Sequence, residues 1–232
     1  MKIGIIGAME IEVTTLKSRM NVERVVTKAS MEFNEGTLEG KEVVVVRSGI
    51  GKVNAAVCAQ ILVDVFNVDI IINSGIAGGI HDDIEIGDLV ISSDVLHHDM
   101  DATGFGYGLG VIPQMECSDF VADKELVELA QEVCKEVDPS ITTRVGRIVT
   151  GDQFISGVEK KTWLKENFSG FCAEMEGAAI AQVAYLNETR FVIIRAISDK
   201  ADSTACEDYP QFEKKAAEHA VALVTGMLRK LA

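Results

Sequence analysis

Basic residues are scarce in this chain, and their scarcity excludes whole classes of partner. The 232 residues include 22 lysines and arginines against 36 aspartates and glutamates, a formal net charge of −14 at pH 7. Nucleic acid and anionic membrane surfaces both require a basic face on the protein that binds them. We therefore expect no nucleic-acid partner and no membrane partner. No apolar run is long enough to span a bilayer, and the N-terminal "MKIGIIGAME" favours a buried strand over a signal peptide.

Clustered metal ligands are also missing. The five cysteines are scattered, odd in number and without a CxxC spacing, which is typical of reduced thiols in a cytoplasmic protein. The only tight pair of histidines is His97 and His98. Adjacent residues on a strand point to opposite faces, so this pair cannot easily share a metal. We expect no metal site.

Three common glycine motifs are absent as well. "GIAGGI" lacks the G-x-G-x-x-G spacing of a dinucleotide site, and "SGIGKVNAA" lacks the Ser or Thr that holds magnesium in a phosphate-binding loop. No G-x-S-x-G nucleophile motif is present. The sequence therefore gives no support to a dinucleotide-dependent enzyme, a nucleoside triphosphatase or a serine esterase.

The chain does contain an alternation of strand and helix patterns. Short apolar, β-branched runs predict strands that helices cover on both faces, and the alternation predicts an α/β fold with a central mixed sheet in three α/β/α layers. We see no linker or repeat, so we predict one domain over residues 1–232. Strands are predicted at 2–8, 31–40, 42–49, 69–75, 88–95, 144–151 and 190–198, and helices at 10–20, 51–66, 122–137, 177–187 and 209–231.

Several predicted strands end in glycine followed by polar residues. The segments are "IIGAMEIE", "RSGIGK", "INSGIAGG", "VTGDQF" and "RAISDKAD". Each glycine could serve a tight turn alone, but glycine also lets a backbone approach a ligand closely. In α/β folds the ligand site lies at the carboxyl ends of the strands. The five segments together predict a site at that edge of the sheet.

Two acids in the apolar segment "FCAEMEGAAIAQVA" have two possible roles. If residues 171–176 are extended, Glu174 and Glu176 point to the same side, where sugar hydroxyls could donate to them. Alternatively, one pairs with Arg195 and the other caps the following helix, because acids favour helix N-termini. The spacing alone does not choose between these interpretations.

Seven ordered segments carry a resemblance to a known family: "MKIGIIGAMEIEV", "SGIGKVNAA", "INSGIAGG", "HHDMDATGFGYG", "TGDQFI", "AEMEGAAIAQV" and "RAISDKAD". Over nearly its whole length the chain resembles the 5'-methylthioadenosine/S-adenosylhomocysteine nucleosidases of the purine nucleoside phosphorylase superfamily. The resemblance implies a nucleoside phosphorylase-like fold and an N-ribosyl hydrolase that releases adenine and a thioribose from these nucleosides, and from 5'-deoxyadenosine too. It also implies methionine salvage, a cytoplasmic homodimer whose pocket the neighbouring subunit completes, and no cofactor.

The resemblance also implies roles for individual residues. Asp199 matches the general acid, which hydrogen-bonds adenine at N7 and N6, and Glu12 matches the group that activates water. Arg195 and Glu174 match the surroundings of that water, and Glu176 matches the contact with the ribose 2'- and 3'-hydroxyls. Met175 matches a contact with the ribose, and Phe154 and the backbone of Ile155 match contacts with the purine. Ser198 matches a residue that supports Asp199, and Pro113 matches one that reaches the neighbouring subunit's pocket. The matches at the ribose and alkylthio end are Met9, Ile50, Phe105 and Tyr209.

The chain departs from the family pattern at a few positions. Ile76 stands where many relatives have Ser, so it offers no hydroxyl to the water. Ala102 is smaller than the Val common there, and Tyr209 stands where Phe is frequent, so its hydroxyl needs a partner. The segment "GLGVIPQME" also differs from the usual sequence. We expect these departures to affect substrate preference more than reaction class.

Three alternative functions fit parts of this pattern. A purine nucleoside phosphorylase would need cationic donors for phosphate, whereas the places that hold them in the hexameric phosphorylases carry "GAMEIEV" and Asn73 here. The motifs barely distinguish a nucleosidase that acts on aminodeoxyfutalosine or futalosine from one that acts on methylthioadenosine. A binding or sensor protein without activity would not need Glu12, Glu176 and Asp199 together.

Overall fold

One mixed sheet of ten strands forms the centre of the computed structural model, which describes residues 1–231. The strands are β1 (Lys2–Gly7), β2 (Asn21–Lys28), β3 (Met31–Leu38), β4 (Lys41–Arg47), β5 (Ile70–Gly79), β6 (Leu89–His97), β7 (Phe120–Val121), β8 (Thr143–Thr150), β9 (Cys172–Glu174) and β10 (Arg190–Asp199). The α-helices are α1 (Glu10–Arg19), α2 (Lys52–Phe66), α3 (Lys124–Val137), α4 (Val158–Phe168), α5 (Gly177–Leu186) and α6 (Ala205–Lys230).

The two halves of the sheet differ in how the strands pair. β1 lies between β4 and β5 and is parallel to both, and β3 and β2 continue that half as antiparallel neighbours. In the other half, β5, β10, β6, β8 and β9 form a closed ring, because β5 pairs with both β10 and β9. The ring contains parallel and antiparallel pairs, so the predicted mixed sheet is confirmed.

Side chains on the two faces of the central strands pack against two layers of helices. Ile5 of β1 and Ile72 of β5 join the core under α1, α3 and α6. Ile6 and Ile71, the adjacent residues on the same strands, join the core under α2 and α5. Successive side chains on a strand alternate between faces, so a continuous apolar run serves both layers. The predicted three-layer α/β/α architecture is confirmed.

The structure adds four elements that the sequence did not predict. β7 and β9 are two and three residues long, too short for a recognisable pattern. β2 is almost entirely exposed, so it lacks a buried face, and α4 buries only Leu164 and Phe168. The last helix begins at Ala205 rather than at 209, with Pro210 inside it.

Across residues 1–231, every helix is too short or too polar to span a bilayer.

Candidate active site

A cavity of about 530 Å³ opens where β1, β5, β9 and β10 end. The parallel strands β1, β5 and β10 bring their carboxyl ends to one edge of the sheet, where α/β folds bind ligands. The predicted site is therefore present as a cavity. The predicted residues that line it are Met9, Glu12, Ile50, Ile76, Phe154, Glu174, Met175, Glu176, Ser198, Asp199 and Tyr209.

The carboxylate of Glu12, in the first turn of α1, is fixed by three backbone donors. Its Oε2 accepts hydrogen bonds from the N–H groups of Ala8 (2.6 Å) and Met9 (2.9 Å), and its Oε1 accepts one from the N–H of Ile76 (3.2 Å). Burial raises the pKa of Glu12, although these donors and the charge of Arg195 oppose the rise. A carboxylate that is fixed in one position and whose pKa burial raises suits a general base.

Gly75 on β5 makes room for this carboxylate. A Cβ at this position would lie 2.7 Å from Oε1 of Glu12 and 3.4 Å from Nη1 of Arg195. A side chain at 75 would displace one or both groups. The glycine of "INSG" is thus a point of close approach, as the sequence suggested, but the group that approaches it is the protein's own carboxylate.

Arg195, on β10, lies buried behind the cavity rather than in its lining. Its Nη2 donates to Oε2 of Glu174 and to Oδ1 of Asn73 (2.5 Å), and its Nη1 donates to the carbonyl oxygen of Ile194 (3.0 Å). Its Nε is a buried donor without a partner among residues 1–231. Water is the usual partner of such a donor, but most of the guanidinium is already engaged by protein groups.

Glu174 ends β9 and caps α5 at the same time. Its Oε2 accepts from the N–H groups of Gly177 (2.7 Å) and Glu176 (3.1 Å) and pairs with Arg195, while its Oε1 accepts from the hydroxyl of Thr150. Burial would raise the pKa of Glu174, but Arg195 and Thr150 outweigh burial and hold it below its ordinary value. Glu174 is therefore the ionised member of the two neighbouring acids.

This arrangement decides between the two interpretations of the acids. Glu174 alone carries out both structural roles, pairing with Arg195 and capping the helix. Glu176 is left to face the cavity. The condition that residues 171–176 are extended is met only for Cys172–Glu174, because the strand ends there and the chain turns into α5.

Glu176 is held by the loop that precedes α2. Its Oε1 accepts from the N–H of Gly51 (2.9 Å), a residue whose φ of 97° favours glycine. Burial and the nearby carboxylate of Glu174 raise the pKa of Glu176 to about 8. In the unliganded protein Glu176 is thus largely protonated at neutral pH.

We expect Glu176→Gln to stabilise the unliganded protein at pH 8. The folded protein keeps a proton on Glu176 that the unfolded chain releases above the ordinary pKa of 4.5. The free energy of unfolding therefore falls as the pH rises from 4.5 towards 8. Glutamine does not titrate, so the variant should exceed the unsubstituted protein by about 1–3 kcal/mol at pH 8.

Urea unfolding at fixed protein concentration, at pH 5 and pH 8, measures this difference. The advantage of Glu176→Gln should disappear at about pH 5. Glu42→Gln, which replaces an exposed glutamate on β4, is the matched control. Equal stability of the two proteins at pH 8 would show that Glu176 is already ionised in the folded state.

Asp199, at the end of β10, is buried and has two hydrogen-bond partners. Its Oδ2 accepts from the hydroxyl of Ser198 (2.9 Å), and its Oδ1 accepts from the N–H of Ala201 (2.8 Å). Burial raises the pKa of Asp199, against the effect of these two donors. A buried carboxyl group with a raised pKa is suited to act as a general acid.

The far end of the cavity is apolar. The Tyr209 hydroxyl finds its partner in the sulfur of Met9, to which it donates at 3.1 Å. The rings of Phe154 and Tyr209 meet edge to face, with centroids 5.9 Å apart. Ile50 is half exposed, so this end of the cavity is open in the single chain.

Not every predicted residue reaches this cavity. Ile155 lies in a small adjoining hollow with Phe154 and Asp199. Phe105 and Pro113 line neither space, and Phe105 is 89% exposed. Ala102 is buried outside the cavity lining, so its size has no direct effect on the space in this chain.

The sequence analysis missed three residues at or behind the cavity. Thr150 orients Glu174 and accepts from the N–H of Ala178 (2.8 Å), and its position at the end of β8 could have identified it. Asn73 was mentioned in the sequence only because it carries no charge, whereas in the structure its side-chain oxygen accepts a hydrogen bond from Nη2 of Arg195. Cys206 lines the cavity, and no sequence signal distinguished it from the other cysteines.

No group of three or more His, Cys, Asp or Glu residues within residues 1–231 is arranged to hold a metal ion. The His97 ring instead lies 3.0 Å from the amide oxygen of Gln182.

Known proteins share the fold of this chain. A model of the "Phosphorylase superfamily" matches residues 2–229. The 5'-methylthioadenosine/S-adenosylhomocysteine nucleosidase of Bacillus licheniformis is 43% identical over 232 residues, which is 100% of both chains. The chain belongs to this nucleosidase family of the phosphorylase superfamily. Membership confirms the fold class and the enzyme class, a nucleosidase and hence a hydrolase, that the motifs predicted.

Solved structures of the nucleosidase family superpose over almost the whole chain. The enzyme from Neisseria meningitidis in complex with methylthio-immucillin-A has a TM-score of 0.95 and 39% identity, covering 99% of each chain. The futalosine hydrolase of Helicobacter pylori has a TM-score of 0.94 and 32% identity, covering 99% of this chain and 98% of its own. Nucleosidases named for different substrates thus share this backbone.

Proposed function

We propose that this chain hydrolyses the N-glycosidic bond of 5'-methylthioadenosine and S-adenosylhomocysteine, and that of 5'-deoxyadenosine too, to release adenine. The charge of the cavity carries the proposal. The described residues that line it include Glu12, Glu174, Glu176 and Asp199 but no lysine, arginine or histidine. Phosphate needs cationic donors, whereas glycosidic hydrolysis needs one carboxyl group to protonate the leaving base and another to activate water, and the lining supplies both.

Asp199 is proposed to protonate the leaving adenine at N7 and to hydrogen-bond its 6-amino group. Burial raises the pKa of Asp199, which favours the protonated form that a general acid needs. Ser198, at 2.9 Å, orients the carboxyl group. Phe154 and the backbone of Ile155 lie beside Asp199 at the same end of the site, where a purine ring would stack and present its edge.

Glu12 is proposed to orient and deprotonate the attacking water. Its three backbone donors hold the carboxylate in one place. Arg195 and Glu174 lie behind it as a neutralised pair. Ile76 gives its backbone N–H to Glu12 and no hydroxyl to the water, so the water depends on Glu12 and the groups behind it.

Glu176 and Met175 are proposed to bind the ribose. A sugar 2'- or 3'-hydroxyl can donate to the Glu176 carboxyl, and Met175 can cover the face of the ring. The apolar 5' substituent then meets Met9, Ile50 and Tyr209. A thioether against flexible methionine and aromatic side chains is favourable packing.

We further propose that the working form is a homodimer. Val53 and Val57 lie one turn apart on α2, just after Ile50 in the preceding loop, and the exposed fractions of Ile50, Val53 and Val57 are 53%, 74% and 39%. Such an apolar surface marks an interaction site, and it borders the open end of the cavity. Phe105 and Pro113 do not reach the cavity of their own chain, which fits a role in completing the cavity of a second copy.

The remaining assignments follow from family membership. We propose a single domain over residues 1–232, because one family model matches residues 2–229. Methionine salvage in the cytoplasm, within amino-acid biosynthesis, is the setting in which these nucleosides would be consumed. The five cysteines are free thiols, as in proteins of a reducing compartment.

Release of the base from a panel of nucleosides tests the proposed function. Methylthioadenosine, adenosylhomocysteine, adenosine and futalosine are incubated with the protein, and free base is measured by chromatography. We expect adenine from the first two at far higher kcat/KM than hypoxanthine from futalosine. Preferred cleavage of futalosine would assign the chain the activity named for its Helicobacter pylori neighbour, and no cleavage of any substrate would favour a binding protein.

A further inference from the structure

A second cavity, of about 480 Å³, adjoins the first at the end lined by Met9 and Ile50. The two cavities share Ala8, Met9 and Ile50. Beyond these residues the character of the lining changes, because Glu10, Ser30, Arg47, Ser48 and Asn54 bring polar and charged groups. A ligand that fills the first cavity and passes between Met9 and Ile50 therefore enters a polar chamber.

Glu10 and Arg47 carry opposite charges in this chamber but do not form a close ion pair. Oε2 of Glu10 and Nε of Arg47 are 3.6 Å apart, and each side chain is 54% exposed. A charge-assisted hydrogen bond is about 2.7–2.9 Å long, so the pair is loose. Glu10 also binds Lys17 through Oε1, at 3.2 Å, whereas Arg47 has no other ion pair among residues 1–231.

We propose that the second cavity binds the α-amino acid group of adenosylhomocysteine. Arg47 takes the carboxylate and Glu10 takes the ammonium group, so the zwitterion replaces a loose pair with two charge-assisted contacts. The thioether bridges Met9 and Ile50, and a short methylene linker carries the amino acid into the chamber. The inference rests on the proposed function, and it deepens that function by assigning residues that separate adenosylhomocysteine from methylthioadenosine.

The shape of the substrates explains why only one of them uses the chamber. The methyl group of methylthioadenosine ends beside Met9 and Ile50, within the lining common to both cavities. Only a substrate with a longer 5' substituent reaches Arg47. A long apolar substituent reaches the same place without a charge, so it separates the effect of length from the effect of the zwitterion.

The test compares kcat/KM of Arg47→Gln for adenosylhomocysteine, methylthioadenosine and 5'-butylthioadenosine. We expect the ratio of adenosylhomocysteine to methylthioadenosine to fall about five- to tenfold, mainly through KM, while the butylthio ratio stays unchanged. Arg47→Lys should retain most of the preference. Arg229→Gln, which removes the same charge from an exposed residue paired with Glu39, is the matched control.

Two results would overturn the assignment of this cavity. One is an unchanged ratio in Arg47→Gln, and the other is an equal fall for all three substrates, which would show a general effect on the fold or on the nucleoside site. Failure of the proposed function has a different signature, because the unsubstituted protein would then release no adenine from methylthioadenosine.

Discussion

Asp199→Asn should lower kcat for methylthioadenosine by about 10²–10⁴-fold, the range that a general acid contributes. Asparagine has nearly the same shape but cannot deliver a proton to the leaving purine. Its amide oxygen can still accept from the N–H of Ala201, and its NH₂ group can donate to the Ser198 hydroxyl, so both contacts of the native carboxyl group keep a partner. The fold and the melting temperature should therefore change little.

Steady-state kinetics and thermal unfolding of the same preparation separate chemistry from stability. Asp202→Asn is the control, because Asp202 lies on the same loop and pairs with Lys161 outside the cavity. A kcat within a few-fold of the unsubstituted protein would remove Asp199 from the role of general acid.

Glu12→Gln should also lower kcat by about 10²–10⁴-fold, because the water loses its base. This substitution differs from Asp199→Asn in its effect on stability. All three partners of Glu12 are backbone donors, from Ala8, Met9 and Ile76. The glutamine NH₂ group can accept from none of them, so at least one buried donor loses its partner, at a cost of about 1–3 kcal/mol.

Kinetics with methylthioadenosine and urea unfolding measure both effects. Glu42→Gln, on the exposed surface of β4, controls for the loss of one carboxylate. A variant that is less stable but keeps its turnover would make Glu12 a structural residue and would require another base for the water.

The sequence was most informative where a residue's role follows from its neighbours along the chain. The strands predicted to end in "KIGIIG", "IIINSG" and "VIIRAIS" indicated the edge of the sheet at which the cavity lies, because parallel strands end together, although β5 continues to Gly79. This rule, together with the family resemblance, predicts that Glu12, Ser198 and Asp199 belong to the site. The separation of Glu174 from Glu176 does not, because it depends on the short strand β9 ending at Glu174.

Contacts between distant segments were beyond the reach of sequence patterns. Thr150 orients Glu174 across β8 and β9, and Asn73 holds Arg195 across β5 and β10. Neither pairing has a periodic signal, since each depends on strand register. Phe105 and Pro113 show a different limit, because their proposed partner is a second copy of the chain.

The central claim is that water, and not phosphate, attacks the nucleoside in this cavity. The most direct measurement is the sugar product formed from methylthioadenosine, with and without added phosphate. The absence of a cation from the described cavity lining predicts methylthioribose and adenine at a rate that phosphate does not change. Methylthioribose 1-phosphate, formed at a rate proportional to phosphate, would contradict the account and make the protein a phosphorylase.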